Sequence, residues 1–214
     1  MKKSEKYFLV FTTLGCLIPI LFALTVYNKL PDQIAIHWGM NGEPNGYASK
    51  EVAVFGLPIL MAILNISVNL ISEYDPRKSY VPRKMRIFLK LLLPILCWIL
   101  YPMTILIALG TPFNIEMIVL VLVGAIFILV GNYMPKCRQN HTVGIRIPWT
   151  LRNEEVWNRT HHMAGYLWII GGVLMMGAGF FQWSEWVILV YIMILVIVPM
   201  VYAYLLYKKL EQKD

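Results

Sequence analysis

Acidic side chains are scarce in this sequence, cysteines scarcer still, and no stretch carries the spacing of a catalytic motif. Charged residues make up 14% of its 214 positions, with 12 Asp and Glu against 19 Lys and Arg. So little charge cannot coat an ordinary water-soluble domain, and a hydrophobic fraction of 58% excludes that class. The three cysteines exclude a disulfide framework, because Cys16 and Cys97 fall in apolar runs and Cys137 in a basic stretch. Metalloprotease helix motifs, serine elbows and paired membrane aspartates are all missing, which argues against an enzyme. No cofactor-binding pattern is evident either.

What is abundant is long apolar sequence. A bilayer core about 30 Å thick needs roughly 20 apolar residues per helix. Six runs meet that length, at residues 7–27, 52–72, 91–109, 115–133, 164–181 and 187–207. The first is too long for a signal-peptide core and no small-x-small site follows it, so it reads as a retained helix, kinked at Pro19. Seventeen of the Lys and Arg residues lie before the first run, between runs two and three, between four and five, or after the last; Lys29 and Lys50 lie on the other side. Basic residues stay on the cytoplasmic side, so both termini are placed inside. The expected fold is all-α: a polytopic membrane protein of six transmembrane helices, N-in and C-in, with one structured extracytoplasmic loop and one cytoplasmic amphipathic segment. The basic excess is then a topology signal with some attraction to anionic lipid, and direct nucleic-acid binding is not expected. Two portions are expected: residues 1–90, a helix pair with the outer loop 28–51 and a basic inner loop, and residues 91–214, a four-helix portion with the polar stretch 131–163.

The outer loop is dense in turn residues, and Ile34, Ile36 and Trp38 alternate with Ala35 and His37 as in a short strand. An ordered cap is expected there. His37 with Glu43 has the composition of an acid/base pair but lacks a nucleophile. In the second run Asn65 and Asn69 sit one turn apart and are read as helix-packing amides, with a polar pathway as the alternative. The inner loop 73–90 is expected to be solvated and lipid-facing. Glu116 is placed at a helix N-terminus, where the dipole favours a carboxylate. Gly124 and Gly131 in run four, and Gly165, Gly172 and Gly179 in run five, recur every seven residues, which predicts close packing of those two helices.

Residues 131–163 form a polar island with five Lys or Arg, three of the four histidines and two tryptophans. Pro148 holds Ile147 extended, and Thr150-x-x-Asn153 reads as a weak capping box. A short amphipathic helix along the inner leaflet is expected, with Trp149 and Trp157 at headgroup depth. Cys137-x3-His141 and the His161-His162 pair lack zinc spacing, so no metal site is assigned. Arg146 is expected to bond carbonyls at the end of run four or a lipid phosphate. The echo between residues 34–38 and 145–149 hints at an inverted repeat.

Gly131-Asn132, then Gln139-Asn140-His141-x-x-Gly144-Ile145-Arg146-x-Pro148-Trp149-Thr150-Leu151, then Glu154-x-Val156-Trp157, resembles the signature of the SdpI family of bacterial immunity proteins. The pattern Leu30-Pro31-x-x-Ile34-x-Ile36-His37-Trp38, with Gly42-x-Pro44 and Lys50, resembles the N-terminal module that often precedes it. The resemblance implies a multi-pass protein of the bacterial cell membrane that protects against a secreted membrane-active peptide toxin. It also implies signalling by holding a winged-helix autorepressor at the membrane. His37, Trp38, Gly42, Pro44 and Lys50 are then candidates to meet toxin on the outer face. Asn132, Asn140, Gly144, Arg146, Pro148, Trp149, Thr150, Glu154 and Trp157 are candidates to meet the repressor. The alternative function is a small-molecule or ion transporter, suggested by Asn65, Asn69, Glu116 and the faint repeat.

Overall fold

The computed structural model describes residues 1–39 and 41–212; Lys213, counted above with the basic tail, lies outside them. Among the described residues, six helices are long and apolar enough to cross a membrane. They belong to two compact units, residues 1–74 with 86–115, and residues 75–85 with 116–214. The third long helix therefore goes with the first two, and the loop 75–85 goes with the last three.

In the first unit, α1 (Lys3–Leu17) and α2 (Ile20–Val26) form the first spanning segment. They are interrupted at Ile18 and Pro19, where the proline ring removes a backbone donor. A hairpin follows, β1 (Gln33–Trp38) paired antiparallel with β2 (Pro44–Ser49). It is rooted in the unit's core, because Leu30 and Ile34 are buried among Cys16, Ala23, Val54, Cys97, Tyr101 and Ile105. Beyond β2 the chain makes a π-helical turn (Val52–Gly56) and continues as α3 (Leu57–Tyr74). The Tyr101 hydroxyl, from α4 (Arg83–Ala108), donates to the Val54 carbonyl at 2.9 Å and so occupies an acceptor inside that irregular turn.

Asn65 and Asn69 are packing amides, as expected. The Asn65 carboxamide lies 2.9 Å from the Thr12 hydroxyl and 3.3 Å from that of Thr13, which ties α3 to α1. The inner loop departs from expectation. Lys90 and Glu73 are almost fully buried, with Lys90 Nζ 2.6 Å from Glu5 and 3.6 Å from Glu73. These charges meet one another because a buried cation needs a counter-charge, and no local pattern in the sequence announces a partner 85 residues away.

The second unit contains α5 (Ile115–Tyr133), α6 (Pro148–Arg152), α7 (Glu154–Phe181) and α8 (Glu185–Glu211). The glycine stripes meet as predicted. A Cβ on Gly124 would fall 2.5 Å from the Gly172 carbonyl oxygen, and one on Gly131 would fall 2.8 Å from that of Gly165. The backbones of α5 and α7 can approach this closely only without side chains at those positions. Trp168 of α7 then donates to the Leu195 carbonyl of α8 at 3.0 Å and packs edge-on against Phe127 of α5. Glu116 lies in the first turn of α5, as expected.

The expected inner-leaflet helix does not form. Only Pro148–Arg152 is a separate helix; Glu154 to Trp157 are the opening of α7, continuous with the fifth span. The reason is the cap. Asn153 has extended φ and ψ, and its side chain accepts the Val156 backbone N–H at 3.0 Å, so it starts α7 itself. Thr150 instead lies inside α6. The hinted inverted repeat also lacks local support, since residues 34–38 are strand whereas 145–149 lead into a helix.

Candidate functional sites on the hairpin and the island

On the hairpin, His37 is exposed and its Nδ1 meets the Asn45 side-chain oxygen. Glu43 bonds Asn41 instead, so the His37–Glu43 pair does not exist. Trp38 is half-buried and sits opposite Pro44 in the register, and Gly42 takes a left-handed φ of 75° in the turn. Lys50 pairs with Asp32 at 3.7 Å and lies 5.3 Å from the Tyr27 ring, so it braces the hairpin's foot. The exposed residues of the hairpin include His37, Asn41, Glu43, Pro44, Asn45 and Tyr47.

The island is built from buried polar groups. Asn140 has no exposed surface; its amide donates to the carbonyls of Arg138 at 2.8 Å and Val143 at 3.0 Å, and its oxygen accepts from the N–H groups of Thr142 and Val143. One side chain thus satisfies four backbone groups of a tight loop. Asp75 supports the same loop from outside it. Its carboxylate accepts from the Thr142 hydroxyl, the His141 N–H at 3.2 Å and the Arg77 N–H at 2.8 Å. Burial opposes ionisation of Asp75, but the bonds from Thr142, Arg77 and His141 outweigh it and hold the carboxyl below the usual aspartate range. The expectation of a solvated 73–90 loop fails at Asp75 as well, although Arg77, Arg83 and Lys84 are exposed.

Gly144 comes next in the chain, with φ of 122°, and a Cβ there would collide with Nε2 of His161. That nitrogen accepts the Ile145 N–H at 2.9 Å, while Nδ1 faces the Trp157 carbonyl at 2.8 Å. One donor and one acceptor across the ring call for a single ring proton, on Nδ1. His161 stacks on Trp157 with centroids 3.9 Å apart, and the Trp157 indole donates to the Cys137 carbonyl at 2.8 Å. Trp157 is fully buried, so it is not a headgroup anchor; the helix that was expected to present it is instead the start of α7, turned into the unit. Trp149 packs edge-on against Tyr204 of α8. The Thr150 hydroxyl bonds the backbone at Ile145 and Ile147, and Gln139 caps the end of α6 through the carbonyls of Thr150 and Leu151. Burial pushes the Cys137 thiol up to about 11, and its sulfur faces the Tyr133 carbonyl, so it is no reactive thiolate. Arg146 bonds the His141 carbonyl, within the island rather than, as expected, at the end of the fourth span.

The signature residues therefore divide. Asn140, Gly144, Thr150 and Trp157 hold the island's frame, while Asn132, Arg146, Pro148 and Glu154 are exposed on it and Trp149 is half-buried between. Asp75 and His161 were missed as site residues. Asp75 had no sequence signal beyond its isolation in a basic loop, whereas His161 lies one helical turn beyond Trp157 and could have been found by that spacing.

The profile of the SdpI/YfhL protein family matches residues 136–203, covering most of the island, the fifth span and much of the sixth, and that of a domain of unknown function, DUF1648, matches residues 14–62, covering the hairpin. The chain is 31% identical over 198 residues to the immunity protein SdpI of Bacillus subtilis (strain 168), across 91% of its own length and 93% of that protein's. It belongs to the SdpI/YfhL family. With six spanning helices, this family member is a multi-pass protein of the bacterial cell membrane. No solved structure matches it.

Proposed function

We propose that this family member is a membrane immunity protein, which protects its cell by binding a secreted membrane-active peptide at the outer hairpin and acts without catalysis. The observation that carries the reading is the extent of the likeness to the immunity protein, which runs through both the hairpin and the island rather than through the apolar spans alone. The hairpin suits a receptor role because its root is fixed in a core while His37, Pro44, Asn45 and Tyr47 stay exposed. On the inner face, the exposed residues Asn132, Arg146, Pro148 and Glu154 stand on a rigid frame, which suits docking of a protein such as a winged-helix autorepressor. Toxin binding then signals by favouring the island state that holds the repressor.

Expression of the protein in a host sensitive to such a peptide raises survival under toxin; unchanged killing across several peptides of that type refutes the proposal. The transporter alternative loses its main support, because Asn65 is engaged in binding α3 to α1 and Asn69 in bonding Asn65 within α3.

A further inference from the structure

The island and the loop that braces it hold three guanidinium groups without giving them a counter-charge. Arg77 Nη1 donates to the Gln139 side chain at 3.2 Å, Arg138 lies 4.6 Å from the centre of the Tyr80 ring, and Arg146 donates to the His141 carbonyl. All three side chains are exposed; Arg77 and Arg146 are held on Gln139 and His141, and Arg138 on Tyr80, whose carbonyl also accepts the Arg138 backbone N–H at 3.0 Å. The stretch 138–141 is rigid, since Asn140 binds it from within and Asp75 from outside. Asp75 is itself buried and spent on two backbone N–H groups and a hydroxyl, and the ion pairs found among the described residues engage Lys50, Lys90 and Arg159 instead. A guanidinium carries five donors, so most of them stay open.

We propose that Arg77, Arg138 and Arg146 form a seat for the phosphate of an anionic phospholipid headgroup. The guanidinium fork matches phosphate oxygens in pairs, and an arginine already held by a ring or a carbonyl loses less freedom on binding. Position selects the lipid as the source. The loop follows α5 after a single turn, Met134–Lys136, so it lies at the border of a spanning helix, and the charge count makes that border cytoplasmic, where anionic headgroups collect. The seat does not depend on the immunity reading.

Native mass spectrometry of the full chain, released from nanodiscs of phosphatidylglycerol and phosphatidylcholine, tests this. Wild type retains phosphatidylglycerol selectively. Combined Arg77→Gln, Arg138→Gln and Arg146→Gln substitution weakens that retention about a hundredfold, and each alone about fivefold. A Lys208→Gln, Lys209→Gln control on the tail stays within about twofold of wild type if recognition is local rather than diffuse. Where the triple glutamine variant does not fold, the triple Arg→Lys variant keeps the charge and removes the fork, and its retention falls below wild type. Equal loss in the tail control, undiminished retention by the lysine variant, or equal retention of phosphatidylcholine overturns the proposal. So does displacement by millimolar inorganic phosphate, which makes the site one for free anions, and so does arginine-dependent binding of an acidic protein with lipid retention unchanged.

Discussion

The hairpin and the island are both polar interruptions between apolar spans, yet they are held in opposite ways. The hairpin is fastened at its foot, through Leu30, Ile34, Ile36, Lys50 and Asp32, and toward the turn His37, Pro44, Asn45 and Tyr47 are exposed. The island is fastened throughout, with Asn140, Thr150, Trp157, His161 and Asp75 all buried and all hydrogen-bonded to backbone. A surface that must fit a foreign ligand can be thinly supported, whereas a loop that leaves its backbone groups buried must satisfy each of them. The difference predicts that equivalent substitutions cost far more on the island.

Glycine gives the largest contrast. Gly144→Ala needs both a left-handed residue and space occupied by His161, so it destabilises by about 3 kcal/mol or more. Gly42→Ala takes on the backbone cost of a left-handed φ of 75°, about 1 kcal/mol. Thermal unfolding of the purified proteins in detergent measures both, and similar losses would erase the distinction. Asparagine comes next: Asn140→Ala strands four backbone groups, those of Val143 buried, and costs about 3 kcal/mol, while Asn45→Ala, at an exposed bond to His37, costs under about 1 kcal/mol. The same melts read this pair.

Asp75 supplies a smaller effect that depends on pH. Its carboxyl is held below the ordinary value of 3.8, so the folded state binds its proton less readily than the unfolded chain does. Its contribution is therefore complete above that ordinary value and is lost as pH falls through the lower folded value. Asp75→Asn destabilises by roughly 1–2 kcal/mol at neutral pH, and removes this part of the acid-induced loss. An unchanged acid profile in Asp75→Asn would mean the loop does not rely on the carboxylate. The smallest effect on stability is expected for His37→Ala, within about 0.5 kcal/mol.

Much of this architecture could be read from the residues in order. The six spans follow from run length, the hairpin from the alternation at 34–38, and the α5–α7 seam from glycines seven residues apart. What could not be read were pairings across long intervals. Lys90 looked like one more cytoplasmic cation, yet it is buried with Glu5 and Glu73. Asp75 looked solvated, yet it binds a loop more than 60 residues away. The polar opening of α7 was mistaken for a surface helix because Glu154, Glu155 and Arg159 are charged. Periodicity finds that stretch helical, but only the cap at Asn153 and the burial of Trp157 reveal that it belongs to the fifth span.

The claim that the hairpin meets the toxin is tested most directly by survival of a peptide-sensitive host expressing wild type or His37→Ala/Tyr47→Ala at matched membrane levels. The account predicts protection by wild type and its loss in the double variant, with the variant's melting temperature close to that of wild type. Full protection by the double variant would contradict it.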